Sequence, residues 1–378
     1  MGFSLRNFSS HNAFLLNSLF IVLIISLIFS VDHIHAAIVK SGSCDFYQGS
    51  WVLDESYPLY DTSRCPFIPE GFNCVANGRP NNDYLKYRWS PTGCDAPKFD
   101  GQEFVKRFKG KKIMFVGDSI SNNQWVSFTC MIYAANPNAK FTTFYSEEMS
   151  SVSSVNFTDP EYDVSILFNF KPFLVELEET PERVLKIDTI STGDVWKEVD
   201  VVIFNTWHWW FHTGRLQHWD KIQEGDKTYP DIDDRMAAFA KGLTTWSTWV
   251  DRNIDPKKTQ VFYQGISPSH MRGKEWGFPN TTCADHTTPF NGTTYPGAPE
   301  PGVAVPKEAL SKMSTPVTLL DVTTMSKLRK DAHPSHYANK DGTSRDCSHW
   351  CLAGVPDTWN RILYASIVPE SGNLSFGP

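Results

Sequence analysis

After residue 104 the apolar positions of the chain fall into two rhythms. Short apolar runs bounded by turn residues alternate with longer stretches in which apolar side chains recur every three or four positions. The first rhythm predicts strands over 112–116, 164–168, 201–204, 260–264 and 317–320. The second predicts helices over 121–133, 235–251, 325–331 and 357–367, the last opening at Asp357 or Thr358 behind Pro356. Alternating strands and helices predict an α/β fold, with a mostly parallel sheet covered on both faces. Such sheets bind ligands beyond the carboxyl ends of their strands. Ser119 and Asn205 each follow a strand, which places them on one sheet edge. The Pro-rich stretch 279–306 reads as a surface excursion.

The N-terminal part is patterned differently. Residues 40–98 are rich in Cys, Trp, Tyr, Pro and Asn and show little periodicity, which predicts a loop-rich, disulfide-held module. Residues 99–378 form the main domain. Residues 13–31 carry no charge, follow Arg6 and precede the small Ala36. Residues 1–36 therefore read as a secretory signal peptide. The run is also long enough to span a bilayer, so an uncleaved signal anchor is the alternative. Either reading sends the rest of the chain into the secretory pathway, to the Golgi lumen or membrane or the extracellular wall. Any membrane contact would be through this segment alone.

Composition agrees with that route. All eight cysteines follow the apolar run, and an even number in an oxidising compartment predicts four disulfides. Sequons at Asn156, Asn280, Asn291 and Asn373 predict glycosylation. The net charge of -7 argues against nucleic acid as a general partner. The basic run 106–112 reads as a solvated turn rather than an anion site.

Candidate chemistry lies at Gly117-Asp118-Ser119 and Asp346-Cys347-Ser348-His349, which together supply a hydroxyl, an imidazole and a carboxylate. A serine between a strand end and a helix start has its hydroxyl exposed beside free N–H groups that suit a developing oxyanion. The bland alternative is a helix N-cap. The Asp-x-x-His spacing recurs at Asp32-His33-Ile34-His35, inside the targeting segment. Cys347 and Cys351 distinguish the later copy, because they can anchor a rigid loop that brings His349 to Ser119. A structural loop with a surface histidine is the alternative. Asp331-Ala332-His333 is a rival acid and base. Zinc held by Cys347, His349 and Cys351 is a further rival, opposed by oxidation of such thiols in a secreted chain, so no metal is expected. Asn205 is a candidate oxyanion donor. His208, Trp209 and their aromatic neighbours suit either a sugar-stacking surface or a core. Arg88 and Trp89 read as packing groups.

These blocks resemble the plant trichome birefringence-like proteins over nearly the whole chain after the signal. Cys44-Asp45-Phe46-Tyr47-Gln48-Gly49-Ser50-Trp51, Asn77-Gly78-Arg79-Pro80 and Tyr87-Arg88-Trp89 carry the likeness at the N-terminus. Asn205-Thr206-Trp207-His208-Trp209-Trp210, Ser267-Pro268-Ser269-His270, Asp331-Ala332-His333-Pro334-Ser335 and Gly354-Val355-Pro356-Asp357-Thr358-Trp359-Asn360 carry it onward. The resemblance implies a three-layer sandwich like that of the SGNH/GDSL esterases, with Ser119, His349 and Asp346 as catalytic triad. It implies disulfides joining Cys44 to Cys94, Cys65 to Cys130, Cys74 to Cys351 and Cys283 to Cys347.

The activity it implies is O-acetylation of cell-wall polysaccharide through an acetyl-serine, with acetyl-CoA or another carrier as donor and no bound cofactor. Members that acetylate xylan carry Arg where this chain has Asn122, and others carry Arg at Gln264. Ala353 replaces a usual Pro. These departures resemble the powdery-mildew-resistance branch and imply pectin as acceptor, with Asn122, His208 and Trp209 as substrate contacts. A pectin acetylesterase using the same triad is the alternative, because the two reactions differ in whether water reaches the acyl-enzyme. A non-catalytic wall-polysaccharide-binding protein is a third reading.

Overall fold

A computed structural model describes residues 44–146, 151–159, 162–229 and 234–368. The expected targeting segment, the Asp32-His35 pair and the Asn373 sequon lie outside the described residues.

The N-terminal module contains a hairpin, β1 (Gly49–Leu53) against β2 (Tyr87–Pro91), so it is not wholly loop. The main sheet uses β3 (Lys111–Gly117), β4 (Lys140–Ser146), β5 (Val152–Asp159), β6 (Tyr162–Phe170), β9 (Val201–Phe204), β12 (Gln260–Gln264) and β13 (Val317–Leu320). Its order is β13-β12-β9-β3-β6-β5-β4. From β13 to β6 every pairing is parallel; β5 and β4 are added antiparallel. A four-stranded side sheet holds β7 (Glu176–Glu178), β8 (Val184–Lys186), β10 (Lys221–Glu224) and β11 (Lys227–Tyr229).

The helices are α1 (Gly101–Arg107), α2 (Ser119–Ala135), α3 (Arg235–Asn253), α4 (Ala304–Ser311), α5 (Thr323–Lys327) and α6 (Val355–Ile367). The unbroken apolar runs of β3 and β9 arise because both sheet faces are covered. Met114, Val116, Val202 and Phe204 face one way, onto Phe239, Leu243 and Trp246 of α3. Phe115 faces the other way and meets Phe128 of α2, which also packs on Phe104 of α1. The result is a three-layer α/β/α sandwich. Edge strand β4 is mostly exposed, as an antiparallel edge tolerates.

Helix α2 extends two residues beyond its expected span at each end and α3 two residues at its C-terminal end, and two further helix expectations needed correction. Helix α6 opens at Val355, two residues earlier than expected. Pro356 sits in its first turn, where a missing N–H costs nothing, and Asp357 accepts the Gly354 N–H at 2.8 Å. The helix expected over 325–331 ends at Lys327. Beyond it Arg329 and Asp331 pair with each other, and residues two apart do not face each other on a helix. The excursion 279–306 also ends earlier than expected, in α4.

The structure brings together Cys65 with Cys130, Cys74 with Cys351 and Cys283 with Cys347. Cys44 and Cys94 are both disulfide-bonded as well. Residues Asp45–Ser371 form one compact unit. Within it the hairpin is held against the segment after β13: the Trp51 indole N–H donates to the Met325 carbonyl at 2.8 Å, and the Arg329 guanidinium lies 4.5 Å over the Trp51 ring. No helix among the described residues is long and apolar enough to cross a membrane.

Candidate active site

Strand β3 delivers the nucleophile candidate. Gly117 ends it against the end of β9, where an added Cβ would stand 2.1 Å from the Asn205 carbonyl oxygen and 2.5 Å from Ser121 Oγ. Only a residue without a side chain permits that approach. Asp118 then caps α2, its Oδ1 accepting the Ile120 N–H at 2.8 Å. Ser119 therefore stands in the first turn, at the positive end of the helix.

The Asp-x-x-His spacing builds its own turn. Asp346 Oδ1 accepts the backbone N–H groups of Ser348 at 2.9 Å and His349 at 3.0 Å, and the Ser348 hydroxyl at 3.0 Å. This leaves Oδ2 for the His349 Nδ1–H at 2.6 Å. The opposite ring nitrogen, Nε2, meets Ser119 Oγ at 2.6 Å. The structure thus brings Ser119, His349 and Asp346 into one hydrogen-bonded chain.

Charge follows the geometry. Burial alone would raise Asp346, but its bonds to His349 and Ser348 and the His349 charge hold the carboxyl well below the carboxylate range. Burial works against a charge on His349, yet the bond and charge of Asp346, with Asp118 behind, raise its pKa above 6.5. Asp118 is fully buried, which pushes it up to about 6 against the opposing pull of its N–H bonds and of His349.

The loop carrying His349 is pinned on every side. Asn123, one turn beyond Ser119, bonds the Trp350 backbone with both ends of its amide. The His270 N–H donates to the Cys347 carbonyl at 2.8 Å, and the Leu352 N–H to Phe72 of the N-terminal module at 2.9 Å. Cys347 and Cys351, the sulfurs of the zinc alternative, are bridged to Cys283 and Cys74. The rival pair does not meet: Asp331 binds Arg329, and His333 binds His270. Asn123 was not singled out from the sequence; His333 was named only in the rival acid–base pair and His270 only within a block of the resemblance. The signal for Asn123 was its place four residues after Ser119, on the same helix face.

A cleft of about 530 Å³ opens above Ser119 and His349. Trp207, His208 and Trp209 line one wall, and Arg272, Glu275, Tyr295, Glu300 and Lys327 are among the others. Trp209 stacks on His218 with ring centroids 3.6 Å apart. Trp210 belongs instead to the core on the α3 face of the sheet. Burial, then the His349 and His212 charges, lower His208 to about 4, so it is neutral at ordinary pH, and its Nε2 has no partner. Asn205 is buried, its Oδ1 unpartnered, and it stands outside the cleft lining, as does Asn122 on α2. Gln264 is buried in β12. Trp89 is buried and Arg88 pairs with Asp54. The basic run spans the end of α1 and the start of β3, where Lys111 pairs with Asp200. Of the sequons, Asn280 and Asn291 are exposed, and Asn156 is half-buried in β5.

An aligned hydroxyl, imidazole and carboxylate at a helix N-terminus suit acyl transfer through a serine ester. Comparison with known proteins leads to the same chemistry. Residues 96–366 match the PC-esterase model, described as the GDSL/SGNH-like acyl-esterase family found in Pmr5 and Cas1p, and residues 42–95 match the PMR5 N-terminal domain. The chain is 53% identical to protein trichome birefringence-like 42 of Arabidopsis thaliana, over 86% of this chain and 89% of that protein. It is 49% identical to trichome birefringence-like 38 over 87% and 85%, and 47% identical to trichome birefringence-like 41 over 96% and 98%, both also from Arabidopsis thaliana. With the family model covering most of the sandwich and relatives matched nearly end to end, the chain belongs to the PC-esterase family and is an enzyme of acyl-group chemistry akin to the trichome birefringence-like proteins.

Proposed function

We propose that the protein transfers acetyl groups to hydroxyls of a cell-wall polysaccharide by way of acetyl-Ser119. The observation that carries this reading is the pair of 2.6 Å contacts linking Ser119 Oγ through His349 to Asp346 at the floor of an aromatic cleft. His349 Nε2 takes the Ser119 proton as Oγ attacks the acetyl carbonyl. The donor's bond to the acetyl carbon breaks, and His349 returns the proton to the leaving group. A sugar hydroxyl then gives its proton to His349, attacks the acetyl-serine and releases Ser119, which is reprotonated. The Ser119 N–H and the Asn205 amide are assigned to the oxyanion. The Trp209 face and the unpartnered His208 Nε2 are assigned to the acceptor sugar. The donor is acetyl-CoA or another acetyl carrier.

Pectin is the proposed acceptor on the strength of Asn122 and Gln264. Neither lines the cleft. Inside it Arg272 and Lys327 face Glu275 and Glu300, so charge does not by itself favour an acidic glycan. Hydrolysis of acetylated pectin is the second reading, favoured by the acyl-esterase description of the family. The test is intact-protein mass spectrometry of the secreted enzyme with an acetyl donor, followed by pectin or xylan oligosaccharides. Acetyl on Ser119 that moves to pectin supports the proposal. Release as acetate with no glycan product selects the esterase, and acetylation of a Ser119→Ala variant removes the site.

A further inference from the structure

His270 and His333 are both buried and touch through their rings, His270 Nδ1 lying 2.7 Å from His333 Nε2. Each outer nitrogen meets a backbone carbonyl. His270 Nε2 is 3.1 Å from the Lys327 oxygen, and His333 Nδ1 is 2.6 Å from the oxygen of His349. A carbonyl only accepts, so both outer nitrogens must carry hydrogen. The inner contact needs one hydrogen more, since two bare nitrogens at that distance repel. Two neutral imidazoles hold two ring protons, one short of the number these three contacts require.

We propose that the His270–His333 pair holds three ring protons, the third shared between the rings, and that this proton locks the main chain of His349 in register with Ser119. Loss of the third proton must break one of the contacts, since two protons cannot serve three. Where the inner proton remains on His333 Nε2, the His349 carbonyl is released. His333 is thus a positioning residue for His349 and His270 its partner.

The surroundings set a contest over that charge. Burial opposes it first and pushes both imidazoles well down, His270 to about 3, and Lys327, Lys330 and His349 add to that. The Lys327 and His349 carbonyls, Asp331 at His270 and Asp346 at His333 favour the proton, and the three contacts of the pair are satisfied only with it. Arg79 of the N-terminal module donates to the His333 carbonyl at 3.0 Å, and Arg329 is paired with Asp331. Trp350 stacks on His333 at 4.0 Å and Trp276 stands edge-on to His270, which fixes both rings.

The inference rests on His349 as the general base, and its test reads the protons directly. In protein with ¹⁵N-labelled histidine, nitrogen–proton correlation spectra count the protonated ring nitrogens of the pair between pH 5 and 9. Three of four are expected where the enzyme is active; two throughout that range overturns the proposal. His333→Phe keeps the stack on Trp350 and removes both bonds. It is expected to lower kcat by about 10- to 100-fold with the donor KM unchanged, as a small misplacement of a reacting group does; an unchanged kcat overturns the proposal.

His270→Gln can donate its amide to His333 Nε2 without taking up a proton. It is expected to abolish the alkaline fall in kcat that the wild type shows as the third proton leaves, and a wild-type and variant pair with the same alkaline limb overturns the proposal. Should His333→Phe not fold, the wild-type spectrum and His270→Gln decide. The proton count is made on the folded protein whether or not acyl transfer is observed, so failure of one reading is separable from failure of the other.

Discussion

Asn123 closes both polar ends of its side chain on Trp350: Oδ1 accepts the Trp350 N–H at 2.7 Å and Nδ2 donates to its carbonyl at 3.1 Å. The helix that carries Ser119 thereby holds the residue next to His349. Asn123→Ala strands a buried N–H and a buried C=O, which should cost about 2–4 kcal/mol of stability. It should also lower kcat by about 10- to 100-fold with little change in KM. Denaturant unfolding and steady-state kinetics check the two effects, and a loss in KM alone would place Asn123 in substrate binding instead.

The rate should rise with pH through the folded pKa of His349, above 6.5, because a general base must be neutral. Asp346→Asn removes the main partner that raises this pKa. The midpoint of the pH–rate profile should then move down, and the plateau should fall by at least about 100-fold. The stability signs are opposite for the two groups. The raised His349 stabilises the fold below 6.5 and loses that contribution as pH rises through its folded pKa. The depressed Asp346 stabilises above the ordinary carboxyl value and loses that as pH falls.

Asp357 caps α6 while fully buried, and burial pushes it up to about 6 against its bonds to Ser127, Gly354 and Tyr60. Between the ordinary value of 3.8 and about 6, the folded chain holds a proton that the unfolded chain gives up. This group therefore makes the fold most stable below about pH 4, with loss as pH rises to 6, on the order of 1–3 kcal/mol. Asp357→Asn should flatten that slope in melting curves recorded between pH 4 and 7. A slope equal to the wild type would show that the carboxyl is ionised throughout.

Arg329 and Asp331 form a fully buried two-point ion pair, with both contacts at 2.9 Å. Arg329 also donates to the Tyr84 carbonyl and lies over Trp51 and Tyr87. Arg329→Met leaves a buried carboxylate unpaired and loosens the N-terminal hairpin. The expected cost is about 3–5 kcal/mol, visible as early denaturant unfolding. Arg329→Met with Asp331→Leu should recover part of the loss, because it removes both charges together.

Trp209 presents its ring to the cleft and is braced from behind by His218. Trp209→Ala should raise the KM for a glycan acceptor about tenfold, equivalent to ~1.4 kcal/mol, and leave acetylation of Ser119 by the donor unchanged. Equal loss in both half-reactions would make Trp209 a packing residue.

Local pattern carried much of the fold. The spans 201–204, 260–264 and 317–320 were legible to the residue: 201–204 is an unbroken apolar run buried on both faces, and the other two are short apolar runs bounded by polar or turn residues. The hairpin of β4 and β5 was not legible, since an exposed strand such as Lys140–Ser146 has no period to read. The short side sheet and α1 were hidden for a related reason: three to seven residues are too few to show a rhythm. The helix expected over 325–331 failed because a buried ion pair between Arg329 and Asp331 outweighed local preference.

The sequence by itself determined the chemical groups: a serine at a strand end, an aspartate spaced to bond its own histidine, and cysteines placed to anchor that loop. Those are properties of neighbours along the chain, set by turn geometry and side-chain reach. Only the tertiary structure decided which residues would hold the groups in register. Asn123 is separated from Trp350 by 227 positions, and His270 from His333 by 63. It also decided which aromatics line the cleft, sending Trp209 there and its neighbour Trp210 to the core. Burial, charge balance and proton sharing depend on what surrounds a side chain in space, and no spacing along the chain encodes that.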